Sequence, residues 1–242
     1  MKSKNLKLLG LLSIAFTTTA ACAEEHVMMT QEASYIEMAA AENQTDNLAD
    51  FLKRAAPYIR ETEPGTDLWF ALQGPGNKLA IFDVFFDHAA RDAHFSGVVA
   101  GALKEKSETL VEGGWVEGVV ANVDNASVLS ATALVDHYSA TTATYIPLRA
   151  APGQGDALAE LLTAAAPIVA NTEPKTLYWA ALRLDEDNFA IFDIFADDSG
   201  REAHFAGEVA GLLKEKAPLL VDGGWEEGVV AKVSNYRILA IK

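Results

Sequence analysis

The chain has 242 residues, of which 50% are hydrophobic and 22% are charged, and its formal net charge at pH 7 is −15. This composition is typical of a globular protein and excludes an intrinsically disordered chain, and the length allows one large domain or two of about 100–130 residues. The acidic excess excludes nucleic acid as a partner, because neutralising phosphates requires clustered Lys and Arg. The single cysteine, Cys22, excludes an intramolecular disulfide and a thiolate metal cluster.

Residues 1–23 have the pattern of a secretory signal peptide. Three lysines within the first seven residues precede an apolar stretch, Leu8 to Phe16, that is too short to form a transmembrane segment. Two cleavage positions remain open. Cleavage after Ala23 would release a periplasmic or secreted protein, whereas cleavage before Cys22 would give a lipid-anchored lipoprotein. Both predict export, and removal of residues 1–22 changes the net charge from −15 to −18.

The rest of the chain consists of two copies of one sequence unit. AIFDVFFDHAARDAHFSGVVAGALKEK begins at Ala80 and AIFDIFADDSGREAHFAGEVAGLLKEK begins at Ala190, an offset of 110 residues that continues without a gap to Lys242. About half of the aligned positions are identical, and the period is too long for a solenoid, so the pattern indicates a duplicated domain. We therefore predict repeat 1 at residues 24–132 and repeat 2 at residues 133–242.

Hydrophobic periodicity predicts the order β-α-β-β-α-β in each repeat. For repeat 1 the predicted elements are a strand at 35–38, a helix capped by Asp46 and bent near Pro57, strands at 68–73 and 79–86, a helix capped by Asp87 and interrupted near Gly97, and a last strand within 117–130. This is the order of a ferredoxin-like fold. The predicted class is α+β, with two tandem ferredoxin-like domains that pair within one chain as a pseudo-dimeric α+β barrel.

The hairpin between the second and third strands predicts which side chains share a face. Placing Gln73 opposite Leu79 puts Trp69 opposite Asp83, and one face of the hairpin then contains both. The other face is wholly apolar: Leu68, Phe70, Leu72, Ala80, Phe82, Val84 and Phe86. We expect the apolar face to pack against the helices and the Trp–Asp face to line a ligand site between the two repeats.

Four side chains are the candidate catalytic residues, and they pair between the repeats as Asp83 with Asp193 and His94 with His204. A carboxylate among apolar neighbours has a raised pKa, which suits a general base, and His is the usual proton shuttle near pH 7. Two structural alternatives stay open. Asp83 would accept a hydrogen bond from the Trp69 indole, and each His would bond a nearby carbonyl or carboxylate.

The candidate substrate-binding residues are aromatic or cationic side chains near these four: Trp69, Phe85, Arg91, Trp179, Arg183, Phe195 and Arg201. Arg183 stands where repeat 1 has Gln73, so we expect one of the two sites to dominate. The sequence has no H-E-x-x-H, G-x-G-x-x-G or P-loop pattern, so we predict no cofactor-binding residues and no metal ligands.

ETEPGTDLWFAL followed by AIFDVFFDHAARDAHF, with NTEPKTLYWAAL and AIFDIFADDSGREAHF in repeat 2, resembles antibiotic biosynthesis monooxygenase-like domains of the dimeric α+β barrel superfamily. The resemblance covers both repeats and implies oxygenation of a small aromatic quinol or phenol by O₂ without metal or flavin. Trp69 and Trp179 match the ring-stacking Trp of the second strand. Haem-degrading relatives carry an Asn on the first strand, and here ASYIEM and ATYIPL lack it, which disfavours that activity.

Three functions follow as expectations. The first is an exported, cofactor-independent monooxygenase-like protein acting on a small aromatic quinol or phenol. The second is a binding protein that holds an apolar aromatic ligand without turnover. The third is a structural barrel whose interior is packed solid, and a cavity beside Trp69 or Trp179 would argue against it.

Overall fold

The computed structural model describes residues 31–242, so the predicted signal peptide and Cys22 lie outside the described residues. Within residues 31–242 the chain forms eight α-helices and eight strands. None of the helices in this range is long and apolar enough to cross a membrane.

The elements follow the same order in both halves of the chain. The first half contains β1 (Glu32–Ala39), α1 (Thr45–Thr62), β2 (Thr66–Gln73), β3 (Lys78–Phe85), α2 (His88–Phe95), α3 (Val98–Leu110), α4 (Gly114–Gly118) and β4 (Val123–Ala131). The second half contains β5 (Thr142–Arg149), α5 (Gly155–Thr172), β6 (Thr176–Arg183), β7 (Asn188–Phe195), α6 (Asp198–Phe205), α7 (Glu208–Leu220), α8 (Gly224–Gly228) and β8 (Ser234–Ile241).

The eight strands close into one barrel in the order β1-β3-β2-β8-β5-β7-β6-β4. The last strand of each half joins the two halves: β4 pairs with β1 and with β6 of the second half, and β8 pairs with β5 and with β2 of the first. Closure leaves the barrel without a free strand edge. The predicted α+β class and the intramolecular barrel are confirmed.

Local signals placed most helix boundaries correctly. The Asp87 carboxylate caps α2 by accepting a hydrogen bond from the Ala90 N–H at 2.8 Å, and the predicted break near Gly97 separates α2 from α3. The prediction of Asp46 as a cap was wrong, because α1 begins one residue earlier and Asp46 lies in its first turn. A carboxylate there faces the positive end of the helix dipole without accepting a capping bond.

The hairpin register is as predicted, with Trp69 opposite Asp83, but the assignment of its two faces was wrong. Except for Phe86, which follows β3 and is 48% exposed, the apolar face fills the interior of the barrel. There Phe82 stacks on Phe192 with ring centroids 3.7 Å apart. The face with Trp69 packs against the helices, where the buried residues include Leu103 of α3. A buried carboxylate needs a charged partner, and α2 supplies one on the outer face of the barrel.

Candidate functional site

Asp83 lies on β3 with none of its surface exposed. Its Oδ2 accepts a hydrogen bond from the Ser34 hydroxyl at 3.1 Å, and the same oxygen is 3.7 Å from Nε2 of His94. Burial raises the pKa of Asp83 to about 6, although the charge of His94 and the bond from Ser34 act in the opposite direction. The carboxylate therefore exchanges its proton close to neutral pH.

His94 connects Asp83 to a second carboxylate. Its Nδ1–H donates to Oε2 of Glu63 at 2.5 Å, and its ring packs against Phe85 with centroids 5.2 Å apart. Burial alone lowers the pKa of His94, but attraction to Asp83 and the bond to Glu63 outweigh it, so the pKa lies above its ordinary value. No hydrogen bond to Nε2 occurs among the described residues, and 3.7 Å to Asp83 is longer than a hydrogen bond.

Glu63 lies just after α1, and sequence reasoning did not identify it. Its Oε2 also accepts a bond from the Thr66 hydroxyl at 3.2 Å, and its Oε1 approaches the start of α3, where a Cβ on Gly97 would lie 2.8 Å away. Glycine at 97 therefore leaves room for the carboxylate. The signal that could have found Glu63 is the Glu-Pro pair that recurs at Glu173 in repeat 2.

The second half contains the same arrangement. The Thr144 hydroxyl donates to Oδ2 of Asp193 at 2.7 Å, and Nε2 of His204 lies 3.8 Å from that oxygen while its Nδ1 bonds Glu173. Burial raises the pKa of Asp193 to about 6, and attraction to Asp193 and Glu173 raises that of His204 despite its burial. The structure thus brings the candidate Asp and His of each repeat within 4 Å of each other, a contact that the sequence analysis did not predict. Residues 31–242 contain no group of His, Cys, Asp and Glu side chains arranged to hold a metal ion.

A cavity of about 370 Å³ lies beside His94, between the outer face of the sheet and helices α2 to α4. Its lining contains a single titratable side chain, His94, and is otherwise apolar except for the indoles and one amide. The lining residues are Ile36, Trp69, Ile81, His94, Phe95, Val99, Ala100, Leu103, Trp115, Val119, Val120, Val123 and Asn125. A volume and lining of this kind suit a small aromatic ligand.

The two predicted ring-binding residues of repeat 1 lie in different places. Trp69 lines the cavity, whereas Phe85 lies behind His94. The predicted hydrogen bond from Trp69 to Asp83 is absent, because neither Nε1 of Trp69 nor Oδ1 of Asp83 has a partner among the described residues. The same holds for Trp179 and Oδ1 of Asp193.

The predicted substrate-binding arginines are held elsewhere. Arg91 donates to Glu32 at 2.7 Å, Arg201 pairs with Asp198 at 3.1 Å, and Arg183 pairs with Asp156 at 3.4 Å. Each guanidinium is therefore engaged by a carboxylate away from the cavity. Arg91 lies three residues before His94 in α2, but its guanidinium is held by Glu32 of β1.

The remaining predicted residues of repeat 2 are buried, and His204 lines a cavity of about 280 Å³ together with Glu173. Trp179 is fully buried, and Phe195 packs against His204 with ring centroids 5.5 Å apart. Of the four cavity residues of repeat 1 that carry polar side-chain atoms, sequence reasoning identified Trp69 and His94 and missed Trp115 and Asn125. The EGGW segment that recurs in both repeats was the available signal for Trp115.

Solved structures with this arrangement of elements include two named as candidate monooxygenases. The one from Fusobacterium nucleatum subsp. nucleatum is 14% identical, with 88% of this chain and 94% of that chain covered and a TM-score of 0.72. The one from Lactobacillus acidophilus is 13% identical, with 88% and 95% covered and a TM-score of 0.71. The fold is that of the monooxygenase-like ferredoxin-fold proteins.

A protein of unknown function from Nitrosomonas europaea is 35% identical over 43% of this chain and 94% of its own, with a TM-score of 0.39. No model of a known protein family matches the chain, and no curated protein matches it significantly. The residues of the site must therefore carry the functional conclusion.

Proposed function

We propose that the protein is a cofactor-independent monooxygenase that oxidises a small aromatic quinol or phenol with O₂ in the cavity of repeat 1. One observation carries the proposal. An apolar cavity edged by Trp69 and Trp115 meets a buried Asp83–His94–Glu63 network at its single titratable lining residue. The monooxygenase-like fold supports the same reaction class.

The network can take the proton of a phenol. A hydroxyl at the cavity wall beside His94 would contact Nε2, which has no hydrogen-bond partner among the described residues and lies 3.7 Å from Asp83. The pKa of Asp83 is about 6, so at pH 7 its carboxylate is ionised and can accept a proton from a neighbouring acid. When His94 is an imidazolium, a shift of its Nε2 proton to Asp83 leaves a neutral imidazole that accepts the phenolic proton. Glu63 holds the ring in place through Nδ1.

The substrate itself supplies all the electrons of the reaction. Loss of the proton gives an electron-rich anion, one ring carbon of which forms a bond to O₂, and the network returns a proton to give a hydroperoxide. Elimination of water from that carbon leaves a carbonyl group, so a quinol and O₂ give a hydroxyquinone and water. The apolar lining excludes water from the anion.

Oxygen uptake tests the proposed reaction. The purified protein is mixed with reduced naphthoquinones and naphthols in metal-free buffer, and uptake is compared with that of His94→Gln and the matched variant His204→Gln. We expect His94→Gln to lower the rate roughly 100-fold or more, as general acid–base catalysis requires, and His204→Gln to lower it much less. Uptake no faster than in buffer alone would contradict the proposal.

A binding protein, the alternative function, would bind the same ligand as the proposed enzyme but would not oxidise it. Trp69→Ala should weaken quenching of the intrinsic fluorescence by 2-naphthol in either case, because Trp69 forms one wall of the cavity and Trp115 remains at another. Binding of 2-naphthol by the wild type together with no oxygen uptake from any quinol would favour the binding protein. The cavity beside Trp69 argues against the third function, a barrel without any ligand site.

The proposal includes export of the protein from the cytoplasm. The signal-like pattern of residues 1–23 supports a periplasmic or secreted protein, or a lipoprotein anchored through Cys22. Mass spectrometry of the N-terminus of the protein isolated from its cells distinguishes the two. A chain that still begins at Met1 would contradict export.

A further inference from the structure

The residues around the repeat 1 cavity recur without change in repeat 2. All thirteen lining residues have an identical counterpart 110 positions later, in a pair of repeats that differ at about half of their aligned positions. The counterparts are Ile146, Trp179, Ile191, His204, Phe205, Val209, Ala210, Leu213, Trp225, Val229, Val230, Val233 and Asn235. Repeat 2 therefore has every side chain needed to bind the same kind of ligand.

These counterparts are packed more tightly. Val209 and Ala210 of α7 are buried, whereas Val99 and Ala100 of α3 are partly exposed to the cavity. In repeat 2 a cavity of about 60 Å³ lies between α5 and α7 and touches Val209, compared with about 370 Å³ in repeat 1. The two repeats thus differ in the position of this helix, α3 or α7, and not in the identity of the lining residues.

The residues that hold α7 against α5 are different in the two repeats. Leu212 and Ile168 line the small cavity in repeat 2, and their counterparts in repeat 1 are Ala102 and Tyr58. Tyr58 is 58% exposed and points away from the core. Larger aliphatic side chains between α5 and α7 bury more apolar surface, which favours the closed arrangement.

We infer that repeat 2 contains a second binding site for the same class of neutral aromatic ligand, which is closed here by the packing of α7 on α5 and opens when α7 takes the position that α3 has in repeat 1. This inference rests on the proposed function, because it assumes that the repeat 1 cavity binds an aromatic ligand. The apparent affinity of such a site is its intrinsic affinity multiplied by the fraction of molecules in which the site is open. Substitutions that weaken the packing of α7 on α5 should therefore raise the affinity of this site.

Acidic side chains adjacent in sequence to the second site favour an uncharged ligand. Glu208 and Glu226 occupy the positions of Val98 and Val116, which are exposed residues next to lining residues in repeat 1. An aromatic anion would be repelled there, while a neutral phenol would not. We therefore use 2-naphthol as the probe.

Isothermal titration calorimetry with 2-naphthol in oxygen-free buffer, where the proposed reaction cannot proceed, tests the inference in the full chain. We expect one strong site per chain in the wild type and two in Leu212→Ala, with the affinity of the second site raised roughly 10-fold or more. Leu219→Ala, the same substitution at an exposed position of α7, is the matched control and should behave as the wild type. Adding Val209→Trp to Leu212→Ala fills the second site and should return the count to one.

The reciprocal variant Ala102→Leu should close repeat 1 and weaken its site roughly 10-fold or more. One bound molecule per chain in Leu212→Ala at saturating probe would overturn the inference, as would a second molecule that Val209→Trp does not remove. Two sites of equal affinity in the wild type would also overturn it, because the second site would then not be closed. Absence of any binding by the wild type would instead contradict the proposed function, and the inference with it.

Discussion

Replacing Asp83 by Asn should remove a pH-dependent part of the stability of the protein. Burial raises the pKa of Asp83 from 3.8 to about 6 in the folded chain, so the folded state binds this proton more tightly than the unfolded state. Its contribution to stability is therefore fully present below pH 3.8 and is lost as the pH rises through 6. Asn is neutral throughout this range, so the variant does not undergo the loss.

The size of the effect follows from the two pKa values. Their difference of about two pH units corresponds to a loss of about 3 kcal/mol above pH 7. A small part of this is already lost at pH 4, so the stability of Asp83→Asn relative to the wild type should rise by about 2 kcal/mol between pH 4 and pH 8. The variant also lacks the attraction that raises the pKa of His94, and this acts in the same direction.

Urea unfolding followed by tryptophan fluorescence measures this difference at several pH values. Asp50→Asn on the exposed surface of α1 is the control, and its stability should follow that of the wild type. A difference between Asp83→Asn and the wild type that is the same at pH 4 and pH 8, within about 0.5 kcal/mol, would refute a raised pKa for the buried carboxylate.

Three further outcomes are expected. Gly97→Ala should displace Glu63, since the new Cβ would lie 2.8 Å from Oε1. NMR titration should then show a lower pKa for His94, which Glu63 bonds. Gly101→Ala, whose Cβ would have nothing within 4 Å, should leave the pKa of His94 unchanged. Phe82→Ala should lower the free energy of unfolding by about 3–5 kcal/mol, because its ring is fully buried inside the barrel, and a loss below about 1 kcal/mol in urea unfolding would contradict a packed interior. Mass spectrometry should place the mature N-terminus at Cys22 or just after it. A mass equal to that of the full-length chain would exclude cleavage.

Local features of the sequence predicted the fold well, and long-range pairing was where prediction failed. The hairpin register and the break near Gly97 depend on residues close together in the chain. The correct assignment of the hairpin faces depends on α2, which places His94 over Asp83. Alternation of side chains along a strand cannot show which layer covers which face. The role of Glu63 was missed for the same reason, since it contacts a histidine in another helix.

The outer position of the site explains how two copies of one domain can differ in function. The barrel interior is shared, so Phe82 and Phe192 stack on each other and a change in one repeat affects both. Each cavity site lies instead between the sheet and the helices of its own half. In a homodimer a substitution that closes one site closes the other, because both subunits have the same sequence. In this chain Leu212 can close its own half while Ala102 leaves the other open, so duplication within one chain permits one open site and one closed site on a common barrel.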